Sequence, residues 1–273
     1  MTSEDKFNRL KETLKKMERV IIAFSGGVDS TFLLKAASVS GLHDVLAVTG
    51  VSESLPENEL TFAKDITSTL NIKHREIITD ELKNKEYADN PPDRCYYCKK
   101  ELFGKLKDIA VKEKYPYILD GSNADDDHDW RPGRRAAMEE GVYSPLHDAG
   151  LTKNEIRRLS RMLGLPTWDK PATPCLSSRF PYGFKITPEA LGKVYNAEQY
   201  LKQFGMKELR VRNHLDVARI EVHPEEFPLI MNDEVREKIV DYLKSIGFKY
   251  VTLDLQGFRS GSGNEAIKKK NKR

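Results

Sequence analysis

Phe7, Leu10, Leu14 and Met17 recur at helical spacing in a charged background, which predicts an amphipathic first helix. The continuous apolar run RVIIAF at 19–24 then predicts a buried strand. SGGVDS at 25–30 predicts a tight turn, and TFLLKAASVS at 31–40 a helix that follows at once. The same logic gives a strand in DVLAVTGV (44–51), a helix in PENELTFAKDITSTLN (56–71) and a strand in KHREIIT (73–79). CKKELFGKLKDIAVKEK (98–114) reads as a helix, and YPYILDGSNADD (115–126) as a strand that turns polar at its end. Regular alternation of strand and helix predicts an α/β fold, a parallel sheet flanked by helices on both faces. Ligands of such sheets bind beyond the carboxyl ends of the strands.

Past Leu151 the pattern changes. TKNEIRRLSRMLGLP (152–166) has a Thr start signal and a Gly-Leu-Pro stop, and TWDKPATPCLSSRFPYGFKIT (167–187) is loop-rich. A helix near Pro188–Phe204, two strands in ELRVRNHLDVARIEV (208–222), a helix near Asp233–Ile246 and a strand in YVTLDLQGF (250–258) predict a smaller α+β domain. The expected organisation is a first domain at 1–170, a second at 171–265 and a basic, solvated tail at 266–273. Apart from that tail the sequence shows no repeat or low-complexity segment.

Hydrophobic residues make up 39% of the 273, enough for two cores, while 32% are charged and no apolar run reaches the length of a membrane span. The charged, helical N-terminal stretch does not fit a secretory signal, so a cytoplasmic location is expected. Forty-five basic residues against 42 acidic ones give a net charge of +3, short of the dense basicity expected for a nucleic-acid partner. Three cysteines in a chain of this size do not make a disulfide framework, so their spacing carries the information.

Gly26 and Gly27 remove side chains where the backbone must bend and approach a ligand, leaving N–H groups directed outward. Ser25, Ser30 and Thr31 add hydroxyls, and the following helix aims its positive end at the same place. The chemistry suits a phosphate. The loop lacks the lysine of a P-loop and the spaced glycines of a dinucleotide fold. It resembles instead the SGGxDS signature of the PP-loop ATP pyrophosphatases, which cleave ATP between its α and β phosphates. That resemblance implies that Ser25, Gly26, Gly27, Asp29 and Ser30 hold the pyrophosphate portion, with Mg²⁺ neutralising it. Asp29 suits either the metal or a helix cap.

Cys95 and Cys98, in PPDRCYYCKKELF, stand at a spacing that lets both sulfurs reach one centre, and Cys175, in KPATPCLSSRF, is a candidate third ligand. Structural zinc would want a fourth ligand, for which only scattered histidines such as His128 and His147 are at hand. A [4Fe–4S] cluster on three thiolates would leave one iron open to an exogenous sulfide. A buried thiol at Cys175 beside a surface pair is the third account.

The loop at 25–30 occurs together with LDGSNADD (119–126), DWRPGRRAA (129–137), SSRFPYG (177–183) and DLQGFRSGS (254–262). In this order and over nearly the whole chain they resemble the LarE family, ATP-dependent sulfur transferases of nickel-pincer nucleotide biosynthesis. The resemblance implies adenylation of a carboxylate of a pyridinium biscarboxylate mononucleotide, then replacement of the activated oxygen by sulfur. It places Cys175 where some members sacrifice their own cysteine sulfur. The added Cys95 and Cys98 match the form whose three cysteines hold a [4Fe–4S] cluster, resupplied by a sulfur donor system.

Arg210 and Arg212 share a strand face by the period of two and are candidates for the substrate phosphate, as the family's arginines at this motif imply. Ser178 and Arg179 adjoin Cys175, and Glu198 occupies a family acidic position. Asp120, Ser122, Asn123 and Asp125 close a strand end, as phosphate or metal contacts or as helix caps. Arg131, Arg134 and Arg259 suit substrate contacts and structural ion pairs equally. A homo-oligomer is expected from the family. A tRNA thiolase with the same ATP chemistry and a non-catalytic nucleotide-binding iron–sulfur module are the rival functions.

Overall fold

The computed structural model describes residues 1–128, 131–259 and 261–264; the expected basic tail lies outside them. By internal contacts the chain forms two units, one of residues 1–87 and 93–173, the other of residues 88–92 and the chain from 174 onward.

The first unit opens with α1 (Ser3–Lys15), started by a capping box in which Thr2 and Asp5 exchange side-chain and backbone hydrogen bonds. β1 (Arg19–Ala23), α2 (Val28–Val39), β2 (Asp44–Val51), α3 (Glu57–Thr69) and β3 (Lys73–Ile78) follow in strict alternation. After α4 (Lys85–Ala88), whose last residue belongs to the other unit, come α5 (Arg94–Glu113), β4 (Tyr117–Leu119), α6 (Pro132–Glu139), α7 (Pro145–Asp148) and α8 (Lys153–Met162). The sheet order is β3-β2-β1-β4, with every pair parallel. On β1, Val20 and Ile22 enter a core with Leu10, Leu14, Phe32 and Ile156, while Ile21 and Ala23 enter another with Phe103, Leu106 and Ala136. Burial on both faces is why this strand reads as an unbroken apolar run.

The elements depart from the sequence pattern in several places, of which four bear on the site or on its neighbours. α2 begins at Val28, so Asp29 and Ser30 lie in its first turn rather than in the loop. α5 begins at Arg94, which puts both Cys95 and Cys98 on the helix. β4 stops at Leu119, and the Asp120 N–H that follows donates to Tyr143 O at 2.9 Å. α6 was not expected at all, since Pro132-Gly133 looks like a turn. Proline at a helix start loses nothing by lacking an N–H, and a Cβ at Gly133 would come within 3.0 Å of Lys99 Cγ on α5.

In the second unit, α9 (Pro188–Lys202) is capped by Thr187 Oγ1, which accepts from Ala190 N at 3.2 Å. β5 (Arg210–His214), β6 (Val217–Glu221), α10 (Phe227–Met231), α11 (Asp233–Ser245) and β7 (Tyr250–Leu253) complete it. β5 and β6 are antiparallel, β6 and β7 parallel. Val211, Ala218 and Ile220 pack with Leu201, Ile239, Leu243 and Phe248. The short segment 88–92 is tied into this unit: Asn90 Nδ2 donates to Pro181 O, Gly183 N to Asn90 O and Ile186 N to Ala88 O, each at 2.8 Å. No helix among the described residues is long and apolar enough to cross a membrane.

Candidate functional site

The predicted residues fall into two groups, one in each unit. In the first, the chain leaves β1 through Phe24 and turns at Gly26, whose φ of +67° is open to glycine. A Cβ there would lie 3.3 Å from Ala63 Cβ on α3. Gly27 is the N-cap of α2 and offers no side chain to cap it. Among the described residues, nothing accepts a hydrogen bond from the backbone N–H of Gly26, Val28, Asp29 or Ser30. Gly27 N has only a long 3.4 Å contact to Ser25 Oγ. A helix start whose donors stand unclaimed is suited to an anion.

Around this start the side chains are ordered by one another. Ser30 Oγ lies 3.1 Å from Ser25 Oγ and 3.3 Å from Gly27 O. Asp29 Oδ2 accepts from Lys153 Nζ at 2.7 Å, while its Oδ1 is buried and has no partner among the described residues. That orphaned carboxylate oxygen beside unclaimed N–H groups fits a divalent cation carried in with a phosphate. Lys170 Nζ reaches Gly26 O at 3.2 Å and Glu59 Oε2 at 2.8 Å.

The chain after β4 comes against the same turn. A Cβ on Gly121 would sit 3.0 Å from Ser30 N and 3.3 Å from the Asp29 carbonyl carbon. Asp120 and Ser122 are thereby brought to the loop, but Asp120 is occupied in shaping it. Its carboxylate accepts from Ser122 N (3.1 Å), Ser122 Oγ (2.7 Å) and Ser144 Oγ (2.7 Å). Asn123 Oδ1 accepts from Asp125 N at 2.9 Å, and Asp125 Oδ2 accepts from Lys153 N at 2.8 Å at the start of α8. Asp126 accepts from Asn123 N and pairs with Arg131 at 3.1 Å; burial nonetheless raises its pKa, and the charge of Asp29 adds to the rise. Arg134 and His147 both bind Asp127, whose carboxyl is held down at about 2, chiefly by Arg134.

Cys95 is exposed and Cys98 partly buried, three residues apart and so one turn apart on α5. Two thiolates so placed can share one metal centre. Cys175 belongs to the other unit, where it starts the 3₁₀ turn Leu176–Arg179. Among the described residues, no three His, Cys, Asp or Glu side chains are gathered to hold a metal ion.

The second group surrounds that turn. Buried Arg179 pairs with buried Glu198 and also donates to Cys175 O and Ser178 Oγ. Arg212 donates to Ser178 O at 2.7 Å, Glu221 Oε2 at 2.9 Å and Ser262 Oγ at 2.6 Å. Arg210 differs. It is 5% exposed and lies 4.8 Å over the Phe258 ring, and no carboxylate among the described residues pairs with it. Burial pushes its pKa down to about 10, and the charges of Arg212 and Arg179 add to the fall. The buried Nε atoms of Arg212 and Arg219 and Nε2 of His214 are also without partners among the described residues. Arg259 donates to Gly257 O at 3.2 Å. An unpaired buried arginine beside further unpartnered nitrogens suits an anionic group.

No model of a protein family matches the chain. It is 44% identical over 266 residues to an uncharacterized protein of Synechocystis sp., covering 97% of this chain and 99% of that one. It is 41% identical over 265 residues to the pyridinium-3,5-bisthiocarboxylic acid mononucleotide synthase of Lactiplantibacillus plantarum, covering 95% and 94%. The chain belongs to the LarE family. An uncharacterized protein of Methanocaldococcus jannaschii is 32% identical over 253 residues, covering 93% and 95%.

In this LarE-family chain the residues that sequence reasoning did not single out are Gly121, Lys153 and Lys170, all within the first group. Gly121 lies in LDGSNADD, and a glycine two residues past a buried strand is a usable signal. The two lysines had none, because isolated lysines in polar segments are common and only the fold carries them to the loop.

Proposed function

We propose that the protein is an ATP-dependent sulfur transferase acting on pyridinium-3,5-biscarboxylic acid mononucleotide. It adenylates a carboxylate and exchanges the activated oxygen for sulfur, giving a thiocarboxylate precursor of the nickel-pincer nucleotide. The observation that carries this reading is the uncapped start of α2 behind Gly26 and Gly27. The name of the Lactiplantibacillus plantarum relative supports the choice of product.

A substrate carboxylate oxygen attacks the α-phosphorus, the bond to the β-phosphate oxygen breaks, and pyrophosphate leaves. The N–H groups from Gly26 to Ser30 face the charge that develops on it, and preorganised donors of this kind need no rearrangement as the reaction proceeds. Asp29 Oδ1 is the candidate ligand for the accompanying Mg²⁺. Arg210 is the leading cation for the phosphate of the acceptor, since Arg212 is already balanced by Glu221. Displacement of AMP by a sulfur nucleophile at the acyl carbon completes the exchange. Cys95, Cys98 and Cys175 would hold a [4Fe–4S] cluster, which when bound supplies a sulfide at its open iron. Arg179 keeps the Cys175 turn in one conformation through its bonds to the turn's carbonyls. A sulfur donor that restores the sulfide, and a homo-oligomeric state, belong to the same proposal.

The test is release of pyrophosphate and AMP from ATP, with and without the biscarboxylate mononucleotide, in protein purified without oxygen and assayed for iron and acid-labile sulfide. Acceptor-dependent release with about four irons per chain is expected. Release with loss of the Cys175 sulfur and no iron would assign the sulfur to that cysteine. Absence of acceptor-dependent release would reject the adenylation reading.

A further inference from the structure

We propose that Lys170 is a positioning residue that sets the orientation of the Gly26–Gly27 peptide for the pyrophosphate portion of ATP, an inference that rests on the ATP reading above. Its ammonium group donates to Gly26 O at 3.2 Å and to Glu59 Oε2 at 2.8 Å, and stands 3.8 Å from the centre of the Phe62 ring. The Lys170 and Glu59 side chains are 15% and 13% exposed, so water competes little for either. The ion pair alone would be an ordinary strut between α3 and the segment after α8. The hydrogen bond to Gly26 O gives it a further role, because the acceptor is the carbonyl of the glycine at the bend of the anion loop.

A trans peptide carries its C=O and N–H on opposite sides. With Gly26 O drawn to Lys170, the N–H of Gly27 must face the other way, where the unclaimed donors of the α2 start lie. Among the described residues nothing else holds that peptide firmly. Gly27 N has only the 3.4 Å contact to Ser25 Oγ, and glycine at 26 removes the steric barrier that would keep another residue from turning its peptide over. A Cβ on Gly26 would meet Ala63 Cβ at 3.3 Å, so α3 supplies both the neighbour that limits the loop, through Ala63, and the anchor for the lysine, through Glu59 and Phe62. The lysine positive charge is balanced by Glu59, which leaves the hydrogen bond to the carbonyl as its specific contribution at the loop.

The test compares wild type with Lys170→Met, which keeps the stem over Phe62 and removes the donor, and Lys170→Arg, which restores one. Hydrogen–deuterium exchange of the peptide spanning 24–32 is measured without nucleotide, and affinities for Mg·ATP and for AMP are measured in parallel. Lys170→Met is expected to speed exchange in that peptide and to weaken Mg·ATP binding about tenfold, the effect of one misdirected donor. AMP, which has no β or γ phosphate, should bind as before even though Glu59, left without its partner, lowers the thermal midpoint, and Lys170→Arg should recover most of both losses. Unchanged exchange and unchanged Mg·ATP affinity would overturn the proposal. So would equal losses of ATP and AMP binding, which mark general damage. If wild type itself fails to bind Mg·ATP, the ATP reading falls, while the exchange comparison still decides whether Lys170 sets the peptide.

Discussion

Arg179 and Glu198 face each other as a parallel fork, with Nε to Oε1 at 2.8 Å and Nη2 to Oε2 at 2.9 Å. Both side chains are buried, and Glu198 Oε1 also accepts from Val211 N at 3.0 Å. The remaining nitrogen of Arg179 donates to Pro174 O at 2.7 Å and Cys175 O at 3.2 Å. Glu198 therefore acts on Cys175 through the arginine, by fixing the guanidinium that fixes the turn. Removing it with Glu198→Ala strands a buried charge, and the expected loss is about 3–5 kcal/mol of stability in urea unfolding. Thiol-reactive labelling of Cys175 should quicken in the same variant under native conditions. A labelling rate equal to wild type would mean that the turn holds without the pair.

Gly121 touches backbone rather than a movable side chain, since a Cβ would meet Ser30 N at 3.0 Å. Gly121→Ala should push the first turn of α2 aside at a cost of about 1–3 kcal/mol. The loss should appear in both the unfolding midpoint and Mg·ATP affinity. Gly41, whose Cβ position is open but whose φ is +73°, is a useful comparison: alanine there should cost stability while sparing nucleotide affinity.

The two chemical roles should separate by mutation. Asp29→Ala is expected to slow pyrophosphate release about a hundredfold while leaving iron content unchanged, because Asp29 stands at the turn proposed to hold the pyrophosphate portion of ATP. Cys98→Ser should lower iron and sulfide and leave Mg·ATP binding intact. Loss of both properties in both variants would show that the nucleotide loop and the cysteines form one interdependent site.

His147 and Asp127 give a pH signature. The hydrogen bond from His147 to Asp127 raises the histidine pKa above its ordinary value, about 6.5. Its contribution to stability is thus full below that value and disappears as pH rises through the raised one. Asp127, held down at about 2, contributes above about 3.9 and loses that contribution as pH falls toward 2. His147→Asn should therefore lower the thermal midpoint at about pH 5.5 and have a smaller effect at about pH 9. An equal decrement at both would assign the histidine a packing role instead.

Sequence patterning located the elements whose burial is one-dimensional. β1 and β2 announce themselves because both faces are covered, and the first helix because its stripe of Phe7, Leu10 and Leu14 repeats. α6 escaped because its opening Pro132-Gly133 is also turn chemistry, and only the neighbouring Lys99 on α5 explains the glycine. β4 was expected to run on through Asp120, yet the Asp120 N–H goes to Tyr143 O, a partner more than twenty residues away. The glycine loop was legible because its chemistry is local. The difference between Arg210 and Arg212 was not, since both look alike on an alternating strand. It emerges only when Glu221, on the adjoining strand, is found to neutralise one of them.

The segment 88–92 belongs to the second unit although the sequence on both sides of it belongs to the first. The chain therefore changes unit three times, at 87/88, 92/93 and 173/174, and no single scission separates the two parts. A gene truncated after codon 173 would encode a fragment whose Asn90 has lost Phe180, Pro181 and Gly183, and the complementary fragment would lack the residue that clasps them. A simple end-to-end fusion therefore cannot reproduce the contacts of Ala88–Pro92, and an exchange of the second unit between relatives keeps them only if this segment is carried with it.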